Sequence, residues 1–200
     1  MSLKRIGVLA LQGDFREHIA SVRACGHEAF ALNRSSELSG IDGLILPGGE
    51  STTIAKLAKS FDLFSPIQSA IAAGLPVYGS CAGMILLASE IEGAAIGQET
   101  FGGISMRVRR NAFGRQVDSF ESDIEFKGIS NPPIRGLFIR APWVESVGEG
   151  VDVLATVVTD GVEHAVAVRQ GSLLATSFHP EITSDTRVHR YFIEEILSKG

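Results

Sequence analysis

Hydrophobic positions follow two periodicities along the chain, and the switches between them predict its elements. Residues 6–11 form a continuous apolar run, as expected of a strand covered on both faces of a parallel sheet. The run ends at Gln12-Gly13. Asp14 and Glu17 then have the spacing of a capping box, and Phe15, Ile19 and Val22 recur at helical intervals until Gly26. On that spacing His18 falls on the solvent face and Cys25 fills core space at the helix end. Residues 28–32 and 44–46 read as two more short strands, a second helix begins near Ile54, and a third covers residues 63–73 before Gly74-Leu75-Pro76 stops it. Strands alternating with helices imply right-handed parallel crossovers and a three-layer α/β/α arrangement with a mostly parallel sheet. Between residues 102 and 126 the pattern changes to short alternating strands with a turn at 111–114, which predicts an antiparallel patch. Strands at 153–158, 165–168 and 173–176 follow, and an amphipathic helix at 187–197, led by Ser184 and Asp185, closes the chain. Two hundred residues suit one domain spanning 1–200.

The stretch that organises these elements is residues 77–87, where an apolar, β-favouring run meets Gly79-Ser80-Cys81-Ala82-Gly83 and continues into a helix-forming run. This is the pattern of a nucleophile elbow, whose strand-to-helix turn is so tight that side chains at 79 and 83 would strike neighbouring backbone. Cys81 then projects at the first turn of a helix, where unpaired N–H groups and the positive dipole end favour thiolate over thiol. The other reading of Cys81 is a small buried apolar residue beside two packing glycines.

Composition narrows the classes. A formal net charge of -5, with no run of Lys or Arg, argues against a nucleic-acid partner. Two cysteines, 25 and 81, are too few for a disulfide framework and lack metal-ligand spacing, so a reducing cytoplasm is the expected compartment and no metal is expected. The apolar run after Lys4-Arg5 is too short for a signal peptide, and the one around 75–88 is broken by Gly79, Ser80 and Gly83, short of a membrane span.

Three further stretches carry candidate chemistry. Pro47-Gly48-Gly49-Glu50-Ser51-Thr52-Thr53 leads from a strand into a helix, so its backbone N–H groups form a nest for an anion. With neither a P-loop nor a dinucleotide fingerprint present, the anion that fits is a reaction oxyanion, held by the N–H groups of Gly49 and Ala82. An ordinary glycine turn with a Ser or Thr cap is the alternative. Arg107, Arg109, Arg110 and Arg115 cluster in the 102–126 region, either as solvated surface or as guanidinium groups beside a cleft. Finally, Phe178-His179-Pro180-Glu181 follows the last strand. Extended geometry there puts His179 and Glu181 on one side, so His179 is the candidate base and Glu181 its orienter. His18, His27, His164 and His189 have no comparable setting.

Together the elbow, the 47–51 loop and the His-Pro-Glu segment resemble the triad class of glutamine amidotransferases, and the order Cys, His, Glu fits. More narrowly, Leu11-Gln12-Gly13, residues 47–53, residues 110–121 and Phe138-Ile139-Arg140-Ala141-Pro142 resemble the glutaminase subunits of the two-protein pyridoxal 5'-phosphate synthases. Ser80 stands where that family often has Thr. The resemblance implies a flavodoxin-like fold and hydrolysis of L-glutamine to glutamate and ammonia through a thioester on Cys81. It also implies no cofactor, and a partner synthase that uses the ammonia to assemble pyridoxal phosphate from a pentose phosphate and a triose phosphate. Gly49, Glu50 and Ser51 match the family's glutamine-binding loop, Arg110 its basic residue before Asn-x-Phe-Gly-Arg-Gln, and Ile139 with Arg140 its second substrate segment. Residues 94–106 match no motif. A stand-alone cysteine hydrolase of the same fold is disfavoured by the 110–121 block. A non-catalytic partner-binding subunit is disfavoured by the intact Cys, His and Glu set.

Overall fold

The computed structural model describes residues 2–113 and 119–198. Its first half runs β1 (Arg5–Leu9), α1 (Phe15–Ala24), β2 (Glu28–Leu32), β3 (Gly43–Leu46), α2 (Ser51–Ser60), α3 (Phe64–Ala72), β4 (Val77–Ser80), α4 (Ala82–Leu87) and β5 (Ala88–Glu92). Then come β6 (Ile104–Arg109), β7 (Ser119–Ile124), β8 (Ile134–Ile139), β9 (Trp143–Val147), β10 (Asp152–Thr159), β11 (Val162–Gln170) and β12 (Leu173–Thr176). The last helix, α5 (Arg187–Tyr191), continues as a π-helical turn over Phe192–Leu197, where a plain α-helix was expected.

Strands β2, β1, β3, β4 and β12 lie side by side in parallel. Their side chains alternate between two cores, as period-2 geometry requires. Ile6, Val8, Ile45, Tyr78 and Leu174 meet Val22 of α1 and Phe192 beyond α5 on one face. Leu9, Leu44, Leu46, Val77 and Leu173 meet Ile54 of α2, Ile67 of α3 and Met84 of α4 on the other. The unbroken apolar runs of these strands are thus the signature of a sheet buried on both sides. Beyond β12 the sheet changes direction: β11 and β9 add antiparallel, and β10 pairs with β11.

Three expectations need correction. The 102–126 region is not a single antiparallel patch: β6 is antiparallel to β9 but parallel to β5, and β7 forms a separate two-stranded ribbon with β8. Gly114 of the expected 111–114 turn, and with it Arg115, lies outside the described residues. Asp14 is the N-cap residue of α1 but makes no capping hydrogen bond, because its carboxylate is turned towards His179, 3.6 Å away. Most consequentially, the buried face of α1 is His18, Ser21 and Val22, with His18 fully buried and not solvent-facing.

The parallel registers place Leu46 beside Gly79 and Ser80 beside Thr176, so the loops after β1, β3, β4 and β12 all open at one edge. Ligands of open α/β sheets bind there, outside the carboxyl ends of the strands. Under the edge, Tyr78 donates its hydroxyl hydrogen to Thr176 Oγ1 at 2.9 Å, and Thr176 Oγ1 donates to the Phe178 carbonyl at 3.1 Å. This brace fixes β4 against the segment that leaves β12.

Glycine at 79 and 83 is a packing requirement. A Cβ on Gly79 would lie 2.5 Å from the Gly83 carbonyl oxygen, and one on Gly83 would press into the Leu46 carbonyl of β3. Both obstacles are backbone, which cannot rotate aside. Gly83→Ala should therefore lower stability by roughly 1–3 kcal/mol, read as a shift in the urea unfolding midpoint at constant slope; an unchanged midpoint would mean that β3 yields to α4 without strain.

Candidate active site

Cys81 sits at the turn from β4 to α4 with φ 48° and ψ -100°. Residues with side chains rarely adopt this conformation, which costs about 1–3 kcal/mol and persists only where surroundings enforce it. Here the enforcement is the close packing of the two glycines and a hydrogen bond from the Cys81 N–H to the Thr176 carbonyl at 2.8 Å. The side chain is 7% exposed and its Sγ lies 4.0 Å from the Ile139 carbonyl oxygen.

His179 follows β12, with its backbone N–H donating to the Leu137 carbonyl at 2.9 Å. The His-Pro-Glu segment is not extended as expected. Pro180 opens a single 3-10 turn, Pro180–Ile182, which brings Glu181 back beneath the imidazole. His179 Nδ1–H donates to Glu181 Oε1 at 2.7 Å, and both side chains are buried. Burial alone would push the imidazole towards neutrality. Hydrogen bonding to Cys81 and Glu181, with their charges, outweighs it and lifts the His179 pKa to about 10. Burial likewise opposes ionisation of Glu181, yet the neighbouring His18 and hydrogen bonds from His179 and His18 hold this carboxyl well below the usual range. The pair is therefore a buried imidazolium and carboxylate facing a sulfur. Gly48 makes room for it: a Cβ there would strike His179 Cε1.

These groups line one cavity of about 450 Å³. Gly49, Glu50 and Ser51 enter from the loop after β3, Ala82 from the elbow, Arg110 from the end of β6, and Ile139 and Arg140 from the end of β8. Positive φ recurs in residues with side chains on this rim, at Asn111 (46°) and Arg140 (42°), so the strain of Cys81 is not isolated. All the site residues expected from sequence are thus together, with Glu181 behind the cavity wall.

The anion at the start of α2 turns out to be internal. Glu50 accepts from the N–H groups of Thr52 (3.1 Å) and Thr53 (2.7 Å) and from Thr53 Oγ1 (2.8 Å), which bring its pKa down to about 2 against the opposing effect of burial. The capping residue is therefore Glu50 and not a Ser or Thr, and this helix start has no room for a phosphate. Arg110 Nη2 donates to Glu50 Oε1 at 3.0 Å and Nη1 to Gln98 Oε1 at 2.7 Å. Gln98 Nε2 donates in turn to the buried Ser51 Oγ at 3.0 Å. Gln98, in a stretch that matched no motif, thereby clamps two candidate substrate residues; nothing in its local pattern marks it. Of the remaining arginines, Arg107 and Arg109 pair with Glu90 and Glu92 across the β5–β6 surface, the solvated role.

Two histidines judged unremarkable also reach the site from behind. His18 Nε2 lies 2.9 Å from Ser80 Oγ and 3.5 Å from Glu181 Oε1, and His18 Nδ1 lies 2.9 Å from His189 Nε2. His164 instead stacks on Trp143, and His27 Nδ1 accepts from the Lys4 N–H. Among the described residues, Asp14, His179 and Glu181 bring possible metal-ligating atoms within 4.8 Å of one another, but His179 Nδ1 is committed to Glu181. No described helix is long and apolar enough to cross a membrane.

Comparison with known proteins follows the same lines. The sequence profile of the SNO glutamine amidotransferase family matches residues 8–198. The pyridoxal 5'-phosphate synthase subunit PdxT of Parafrankia sp. is 57% identical over 199 residues, covering 100% of this chain and 96% of its own length. That of Nocardia farcinica is 58% identical over 197 residues, covering 98% and 87%. A crystal structure of a glutamine amidotransferase superposes with a TM-score of 0.88 at 47% identity, covering 96% of this chain and 98% of its own. On the strength of a family match spanning nearly the whole chain, this protein belongs to the SNO glutamine amidotransferase family.

Proposed function

We propose that this chain is the glutaminase subunit of a pyridoxal 5'-phosphate synthase, hydrolysing L-glutamine to glutamate and ammonia and handing the ammonia to a separate synthase subunit. The observation that carries the reading is Cys81, strained at its elbow and facing a His179 that is paired with buried Glu181, on a cavity shared with Gly49 and Arg110. Full-length relatives named as synthase subunits support the pathway and the partner. Two free cysteines suit a cytoplasmic setting.

In mechanism, Cys81 attacks the side-chain amide carbon of glutamine as thiolate. The resulting oxyanion rests on the N–H groups of Gly49 and Ala82. His179 protonates the amide nitrogen, which leaves as ammonia, and a thioester to Cys81 remains. The imidazole then takes a proton from water, hydroxide adds to the thioester, and collapse of the adduct expels the Cys81 thiolate, restoring the thiolate–imidazolium pair while the new carboxyl of glutamate gives its proton to solvent. Glu181 transfers no proton in this scheme; it keeps Nδ1–H of His179 occupied so that Nε2 faces sulfur and substrate. Arg110 supplies positive charge to the substrate carboxylate, and its bonds to Glu50 and Gln98 fix where that charge points. Gly49, Glu50 and Ser51 line one side of the substrate, Ile139 and Arg140 the other.

Glutamate release from glutamine, measured with and without the synthase subunit, tests the activity. Cys81→Ala should abolish it, while added ammonia restores pyridoxal phosphate formation by the complex. His179→Asn should lose on the order of a thousandfold, since both proton transfers use that ring, and Glu181→Gln less. Near-normal hydrolysis by Cys81→Ala would end the triad reading.

Arg110→Ala should raise KM for glutamine more than it lowers kcat, because a carboxylate contact is made equally in ground and transition states. A pure kcat loss would move Arg110 into the chemistry.

The buried ion pair also sets a pH window. The His179 pKa, raised above the ordinary 6.5, adds stability that is complete below that value and lost as pH rises through about 10. The lowered Glu181 pKa adds stability present above the ordinary 4.5 and lost as pH falls. In a proton NMR titration, His179 should therefore show no midpoint between about pH 6 and 8, and Cys81→Ala should bring its midpoint down. A native midpoint inside that window would mean that sulfur and imidazole are not paired.

A further inference from the structure

Behind the cavity, His18 of α1 and His189 of α5 are both fully buried and make a ring-to-ring contact of 2.9 Å that the hydrolytic steps leave unused. The same His18 ring reaches the elbow at Ser80 Oγ, 2.9 Å, and the carboxylate of Glu181, 3.5 Å. Among the described residues, two polar atoms of the cluster have no hydrogen-bond partner, His189 Nδ1 and Glu181 Oε2. The His189 orphan fixes the protons.

A contact between two ring nitrogens needs one donor and one acceptor. If His18 Nδ1 donated, His189 would carry its own proton on Nδ1, a buried N–H with no acceptor, and this would hold whether His18 were neutral or charged. Orphaned buried N–H groups are the rarer and costlier kind. With His189 Nε2–H donating to His18 Nδ1, only a lone pair on His189 Nδ1 goes unfilled. The proton of a neutral His18 then sits on Nε2, pointing at Ser80 Oγ and Glu181 Oε1.

We infer that His18 is a positioning residue of the triad: held as the Nε2-protonated tautomer by His189, it donates towards Ser80 and Glu181 and so ties the orienting carboxylate to the elbow that carries Cys81. This rests on the triad reading proposed above. What the tie decides is which carboxylate serves His179. Asp14 Oδ2 stands 3.6 Å from His179 Nδ1 on the cavity side, against 2.7 Å for Glu181 Oε1. Asp14 is partly exposed and burial raises its pKa, so it is the poorer partner but an available one. The remaining ionisable groups facing the cluster fit the assignment. Tyr78 stands edge-on to both rings, at 5.9 and 5.8 Å, and burial pushes its hydroxyl far up, so it stays neutral. Burial, with the neighbouring His18, brings the His189 pKa down to about 3, so that ring is neutral as well. Cys81 and His179 complete the set on the cavity side.

A multiple-bond proton–nitrogen NMR correlation of the histidine rings in the full chain, with His18 assigned by its loss in a variant, reads the tautomer directly. The inference expects His18 protonated on Nε2 and bare on Nδ1; an Nδ1-protonated or doubly protonated His18 overturns it. This needs only the native chain and no turnover, so it stands apart from any failure of the glutaminase reading. With the synthase subunit present, His18→Phe should lower kcat for glutamine roughly ten- to a hundredfold with little change in KM. Its acid limb should move to higher pH, because Glu181 loses a donor. His18→Gln, which can present an N–H near the Nε2 position, should recover most of the loss. If both variants lost activity only in proportion to the fraction folded, with the limb unmoved, His18 would be packing alone and the inference would be wrong. Should His18→Phe fail to fold, the tautomer measurement still decides.

Discussion

The structure depends on one close approach, that of the α4 backbone to the ends of β3 and β4. Gly79 and Gly83 bring main chain against main chain, with no room for a Cβ at either position. Once that packing is made, the residue between strand and helix has no relaxed conformation available, and Cys81 is held at φ 48°. Strain of about 1–3 kcal/mol is small beside the burial of the helix it belongs to: Met84, Leu86 and Leu87 are all fully buried. At roughly 1.5–3 kcal/mol per fully buried large aliphatic side chain, the packing wins. The same contact sets the sulfur at the edge where four parallel strands end, so a requirement of packing becomes the placement of a nucleophile.

Electrostatic contacts in this protein divide by burial. Arg107–Glu90 and Arg109–Glu92 join exposed partners, and such pairs are worth about 0–1 kcal/mol. His179–Glu181 is different in kind, because both partners are buried and neither can fall back on water. Its desolvation is large, and hydrogen bonding on each side must offset it. That makes the pair no better a stabiliser than a well-packed apolar replacement would be, but a stiff one: loss of one partner strands the charge of the other. Between these extremes is Arg110, partly buried, whose two donors to Glu50 and Gln98 join the α2 cap to the 94–106 stretch.

Much of this was legible in the sequence, for physical reasons that also explain the rest. Continuous apolar runs identified β1, β3, β4 and β12, because a strand covered on both faces has no polar side to show. The elbow, the 47–53 loop and the His-Pro-Glu segment were legible because tight backbone geometry demands particular residues at fixed spacing. The conformation of His-Pro-Glu was not: a 3-10 turn and an extended segment both bring residue i+2 within reach of i here. The parallel pairing of β5 with β6 was hidden because parallel partners leave no turn signal between them. Gln98 was hidden because it acts through two hydrogen bonds across the fold, which leave no local pattern.

His18 shows the limit most sharply. Apolar periodicity put the inward face of α1 through Phe15, Ile19 and Val22, yet the buried face is His18, Ser21 and Val22, rotated by less than one residue. Reading polarity as exposure fails where the sheet beneath a helix is itself polar. Here the surface under α1 offers Ser80 Oγ and Glu181 Oε1. An apolar side chain there would leave a buried carboxylate with His179 as its sole hydrogen-bonding partner, and a buried charge short of donors is costlier than a lost methylene contact. Once the carboxylate is buried, the helix above it must carry a polar residue, and a second one, His189, must satisfy the first. The histidines of the inner face thus follow from the demand that Glu181 be both ionised and dry, the demand that also gives His179 its charge.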